Sequence, residues 1–92
     1  MLIRYFGAAR AAAQQPQETL DLSGPASLED VLRLVAERHE GPVRPVGTPP
    51  APSMRAVLAR SSFLLNETAV RDRSRELDPD DVLDVLPPFA GG

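Results

Sequence analysis

The sequence predicts an α+β domain, a mixed sheet packed on one main helix. Three observations predict it. Short apolar segments of alternating character stand at 1–6 and 82–86. Between them, one long segment from residue 28 carries apolar residues at helical spacing. The remaining strand-like segments are brief and separated by Gly, Pro, Asn and Asp. Strands grouped around a single helix pack that helix against one sheet face. Ninety-two residues make one domain with one modest core.

Taken in order, Met1 to Phe6 alternates with period two, with Ile3 and Tyr5 on one face and Leu2, Arg4 and Phe6 on the other. Gly7 ends this strand. Ala8 to Ala13 has high helix propensity but only enough length for a short helix or turn. Gln17 to Leu22 reads as a second strand, forming a hairpin with a wide connection. Ser23-Gly24-Pro25 breaks the chain. Ser27 is placed as a helix N-cap, with Glu29 and Asp30 in the first turn, where the helix dipole favours acid. Leu28, Val31, Leu32 and Val35 form one apolar stripe. The helix is expected to end near His39-Glu40, stopped by Gly41-Pro42. His39 in the last turn reads as a positive complement to the helix end rather than a catalyst.

Residues 41–53 hold five prolines and two glycines and are expected to form an exposed loop. Met54 to Arg60 fits a short helix with Val57 and Leu58 inward, and Ser62 to Leu65 a strand. Asn66-Glu67 is a turn, and Thr68 to Val70 a short returning strand. Asn66-Glu67-Thr68 matches the glycan acceptor pattern, but a turn explains it more simply. Leu77 to Asp81 reads as a solvated acidic turn, lacking the glycine and distal glutamate of a calcium loop. Val82 to Leu86 is the last strand, with Asp84 opposite Leu83 and Val85. The two most apolar strands, first and last, are expected side by side and parallel.

Composition narrows the function. There is no cysteine, which removes disulfides, thiolate catalysis and cysteine-bound metals. One histidine does not make a zinc site without carboxylates. The net charge of −3 argues against nucleic acid. No signal-peptide layout and no membrane-length apolar run are seen, so no membrane partner is expected and the cytoplasm is the expected compartment. All ten basic residues are arginine, leaving no lysine for isopeptide attachment.

The most informative feature is Pro87-Pro88-Phe89-Ala90-Gly91-Gly92. Glycines without Cβ fit a tunnel too narrow for other residues. Two prolines fix φ and favour an extended stalk. The reading is a β-sheet domain over 1–86 and a flexible reactive tail over 87–92, with the carboxylate of Gly92 as the reactive group. An inert frayed tail is the competing reading.

Three stretches carry a family resemblance: Arg4-Tyr5-Phe6-Gly7-Ala8-Ala9-Arg10, Asn66-Glu67-Thr68-Ala69-Val70, and Leu86 to Gly92. With the order of elements, they resemble the ubiquitin-like β-grasp sulfur carriers of the MoaD/ThiS type, above all the small-subunit branch serving molybdopterin synthase. The resemblance implies that Gly92, with Gly91 behind it, is adenylated and then becomes a thiocarboxylate used in molybdenum cofactor biosynthesis. It implies no cofactor bound by this chain; ATP is used by a ubiquitin-activating-like adenylating enzyme. A cysteine desulfurase or related protein donates sulfur. Two carriers flank a dimer of the large subunit of molybdopterin synthase, a heterotetramer, and catalytic groups come from that larger subunit. The resemblance further implies partner contacts at Phe6, Leu86, Ala69, Arg10, Pro87, Pro88 and Phe89. Ala69 is smaller than the usual family residue. Phe6 also has a reading as core, which its parity with Arg4 disfavours. Carriers for thiamin or cysteine biosynthesis, a non-catalytic ubiquitin-like binding module and a protein modifier are the alternatives.

Overall fold

The computed structural model describes residues 1–40 and 53–88. Strand β1 (Leu2–Tyr5) leads into helix α1 (Gly7–Ala13) and returns as β2 (Gln17–Thr19). A two-residue strand β3 (Ala26–Ser27) precedes the main helix α2 (Leu28–Arg38). Helix α3 (Met54–Arg60) is followed by β4 (Ser62–Leu65), β5 (Thr68–Val70), β6 (Glu76–Leu77) and β7 (Val82–Leu86). The main sheet has the order β2-β1-β7-β4-β5, and β3 pairs with β6 in a separate two-stranded ribbon. Strands β1 and β7 are parallel, with Tyr5 opposite Val85, and the other pairs are antiparallel. The expected α+β class and the parallel first and last strands are therefore what the chain adopts.

The period-two reading of β1 accounts for the core. Ile3 and Tyr5 are buried, and Leu83 and Val85 continue the same face on β7. Phe63 and Leu65 extend it on β4. Helix α2 closes this face with Leu28, Val31, Leu32 and Val35, the stripe expected from spacing, plus Ala36. Met54, Val57 and Leu58 of α3 and Ala9 and Ala13 of α1 complete the cluster. Removing this apolar surface from water is the main stabilising term. Among the described residues no helix packs on the opposite face of the sheet, whose side chains form the candidate site.

Ser27 caps α2 as expected, its hydroxyl accepting from the Asp30 N–H at 3.1 Å. The next unsatisfied donors at this end are met from outside the helix. Leu28 N–H donates to the Arg75 carbonyl and Glu29 N–H to the Arg73 carbonyl, each at 2.8 Å.

Several expectations require correction. The second strand ends at Thr19, not Leu22. Leu20 still bonds the Met1 carbonyl at 2.8 Å, but Asp21 and Leu22 run past the end of β1. Strands β3 and β6 were not expected, and Leu77 lies in β6 rather than in the acidic turn. The first helix begins at Gly7, one residue early, with a positive φ of 51° that glycine accommodates without strain. The main helix ends at Arg38, with His39 as its C-cap. The His39 ring engages Glu18 instead of the helix carbonyls. The proline-rich loop is outside the described residues over 41–52, as are Phe89, Ala90, Gly91 and Gly92.

Candidate functional site

The site is built on the uncovered face of the main sheet, where parity places every second residue of the strands. Register defines two rows across it. Ala69, Leu64, Asp84, Arg4 and Gln17 form one row from β5 to β2. Ser62 and Leu86 form the next, and Phe6 extends it because its N–H donates to the Val85 carbonyl at 3.3 Å. Phe6, Leu86 and Ala69 thus stand on one face. Phe6 is 44% exposed, which decides against a core role. Leu86 is half-buried and Ala69 exposed.

The base of the tail is held at the same corner. Strand β7 is the central strand, and Pro87 and Pro88 continue directly from it. The ring of Pro87 lies 4.0 Å from where a Cβ on Gly7 would stand. The turn between β1 and α1 therefore seats the start of the tail beside Phe6. Arg10, exposed on α1, lines a shallow depression with Gly7, Gln14 and Pro16 rather than joining the sheet rows. Pro87 is half-buried and Pro88 exposed.

At the centre of the open face, Arg4 and Asp84 form a two-pronged ion pair. Arg4 Nη2 donates to Asp84 Oδ2 at 2.8 Å, and Nε donates to Oδ1. The hydrogen bond to Asp84 raises the Arg4 pKa above its ordinary value, and the Asp84 and Glu67 charges add to it. The parallel register of β1 and β7 puts these two side chains opposite each other. Parity alone puts both on this face but does not pair them. The available signal was two opposite charges of matching parity inside apolar strands.

A second polar group lies on the core side. Glu18 is buried on β2. Its Oε1 accepts from the Tyr5 hydroxyl at 2.6 Å and lies 2.8 Å from His39 Nε2. Its Oε2 accepts from Gln15 Nε2, with Arg38 Nε at 3.7 Å. The Tyr5 and His39 rings meet edge to face, with centroids 5.9 Å apart. Burial first, then the Glu18 hydrogen bond, push the Tyr5 phenol well above its ordinary pKa. Every oxygen of the Glu18 carboxylate is engaged, so this cluster ties β1, β2 and the end of α2 together. Among the described residues, no group of three or more His, Asp or Glu side chains is placed to hold a metal ion. No helix among them is long and apolar enough to cross a membrane.

With this geometry in view, a family model described as the ThiS family matches residues 3–92. The chain belongs to the ThiS family. A molybdopterin synthase sulfur carrier subunit from Chlamydomonas reinhardtii is 28% identical over 91 residues, covering 98% of this chain and 95% of the relative. A candidate molybdopterin converting factor subunit 1 from Pyrococcus furiosus superposes with a TM-score of 0.68 at 25% identity, covering 96% of this chain and 95% of that one. A complex of subunits 1 and 2 of molybdopterin-converting factor from Helicobacter pylori gives a TM-score of 0.61 at 19% identity. That alignment covers 99% of this chain and 96% of its counterpart. The β-grasp arrangement is thus shared with these two solved structures, as the resemblance implied.

Proposed function

We propose that this chain is the sulfur-donating small subunit of a molybdopterin synthase. The observation that carries the reading is the family match running through Gly91-Gly92, six residues after the central strand of the sheet ends at Leu86. A carboxylate is a poor electrophile, so an activating enzyme first joins Gly92 to AMP. The carboxylate oxygen attacks the α-phosphorus of ATP, forming an acyl–phosphate anhydride and releasing pyrophosphate. Hydrosulfide, or its equivalent from a sulfur-donating protein, then attacks the carbonyl carbon. The C–O bond to AMP breaks, AMP leaves with the electron pair, and a thiocarboxylate remains. The carrier needs no cysteine for this chemistry, and the sequence has none.

This chain's own contribution is presentation. Gly91 and Gly92 carry no side chain to obstruct a narrow active site. Pro87 and Pro88 fix φ at the base of the tail. The open face bearing Phe6 and Leu86 docks the larger subunit, with Ala69 at its margin and Arg10 and Phe89 as flanking contacts. Intact-mass measurement after incubation with the activating enzyme, ATP and sulfide should show one oxygen exchanged for sulfur at Gly92. Sulfur located elsewhere, or no exchange with any activating enzyme of the source organism, refutes the carrier role.

A further inference from the structure

Arg4 and Asp84 form an ion pair in the middle of an otherwise largely apolar face. Along β1 and β7 it is flanked by Leu2 and Phe6 and by Val82 and Leu86, with Leu64 beside it on β4. The Asp84 side chain is only 6% exposed, although it lies on the uncovered side of the sheet. The Arg4 side chain stays 34% exposed. Both Asp84 oxygens are taken by Nε and Nη2. Among the described residues Nη1 has no hydrogen-bond partner, so Asp84 fixes the plane of the guanidinium and leaves that donor unused.

We infer that Arg4, held by Asp84, is a specificity-determining contact of the docking face, donating from Nη1 to a backbone carbonyl of the larger subunit. The inference rests on the small-subunit reading above. Charge selects the acceptor. Asp84 already neutralises Arg4, and the Glu67 charge acts on Arg4 as well. A partner carboxylate would add a further negative charge beside Asp84 as the interface excludes water, which is unfavourable. A neutral carbonyl completes the fork without adding charge. A partner offering only apolar surface there would strand the Arg4 donor, so the pair discriminates by rejection as well as by attraction.

The test measures binding of the full chain to the purified larger subunit from the same organism, with thermal unfolding run in parallel. Arg4→Leu/Asp84→Leu replaces the pair with apolar side chains, a change that buried pairs often tolerate without loss of stability. It should fold and bind roughly tenfold to hundredfold more weakly, because the partner carbonyl is left unmet. Arg4→Lys keeps the charge but loses the fork, and should lose affinity similarly at a nearly unchanged thermal midpoint. It keeps the test decisive should the double variant fail to fold. Affinity within about threefold of wild type for the folded variants would reduce the pair to a device that sets the register of β1 on β7. A loss that shrinks steadily with added salt would point to a charged acceptor and overturn the carbonyl assignment. Absence of wild-type binding would instead refute the small-subunit reading, and this inference with it.

Discussion

At the scale of single residues, the polar groups inside this fold are bound tightly to particular partners. Glu18 is the clearest case: a buried carboxylate held by Tyr5, Gln15 and His39. Tyr5→Phe removes one donor to a buried acid and should cost about 1.5–3 kcal/mol, read by chemical denaturation at pH 7. It should also change the alkaline limb. The Tyr5 phenol is raised above its ordinary value of 10.0 by burial and by Glu18. A raised pKa gives stability that is complete below about pH 10 and is lost as the unfolded chain ionises above it. Wild type should therefore lose stability above pH 10 more steeply than Tyr5→Phe. Parallel curves would show that the phenol ionises alike in both states. Little of this cluster was legible in the sequence. Parity put Tyr5 in the core, but the link to Glu18 and His39 depends on β2 folding back and on where α2 stops. Neither leaves a local pattern.

Elements with a period were the readable ones. The α2 stripe and the alternation in β1 and β7 each repeat often enough to declare a face. Strands β3 and β6 have two residues apiece, too few for any period, and exist because the start of α2 is tied to the 73–75 segment. The turn at Asn66-Glu67 was legible from composition, and both residues adopt positive φ, 49° and 71°. Its partner was not. Asn66 Nδ2 donates to Asp81 Oδ1 at 2.9 Å, and Asn66 Oδ1 accepts from the Val82 N–H at 2.9 Å. This clasp fastens the β4–β5 turn to the start of β7. The Asn66 bond first, then the backbone bond at Asp78, hold the Asp81 carboxyl below its ordinary value of 3.8. A lowered pKa gives stability that is present above that value and lost as pH falls below it. Asp81→Asn should therefore flatten the acid limb of stability below about pH 4, followed by urea titration at successive pH values. An unchanged limb would show that the clasp makes no charge-dependent contribution.

For the molecule as a whole, the sequence indicated the fold class, the parallel pairing of first and last strands, and the face on which Phe6 stands. The strong apolarity of the first and last strands also pointed to their central place in the sheet, which β7 holds; what no sequence pattern could show was the tail's base seated against Gly7. That placement depends on all the long-range pairings together. It separates stability from chemistry. Under the proposed function, Gly91→Ala should leave the unfolding curve unchanged, yet slow adenylation or sulfur transfer by roughly tenfold to hundredfold, because an added methyl would overpack a narrow partner site. Deleting Gly92 should be worse, since the carboxylate retreats by about 3.5 Å, beyond the tolerance of reactive alignment. Pyrophosphate exchange and single-turnover transfer measure both, and full activity of the shortened chain would show the terminus to be inert. The central position of β7 also bears on how the protein is made. Among the described strands it is the last to leave the ribosome, and it must insert between β1 and β4, which until then present unpaired edges towards one another. A polypeptide interrupted anywhere before Val82 is thus left unclosed and exposed to proteolysis, and it also lacks the glycine pair. Translation completes the sheet and reaches the glycine pair within the same short stretch, so only a chain broken off between Leu86 and Gly92 closes the sheet without the full pair.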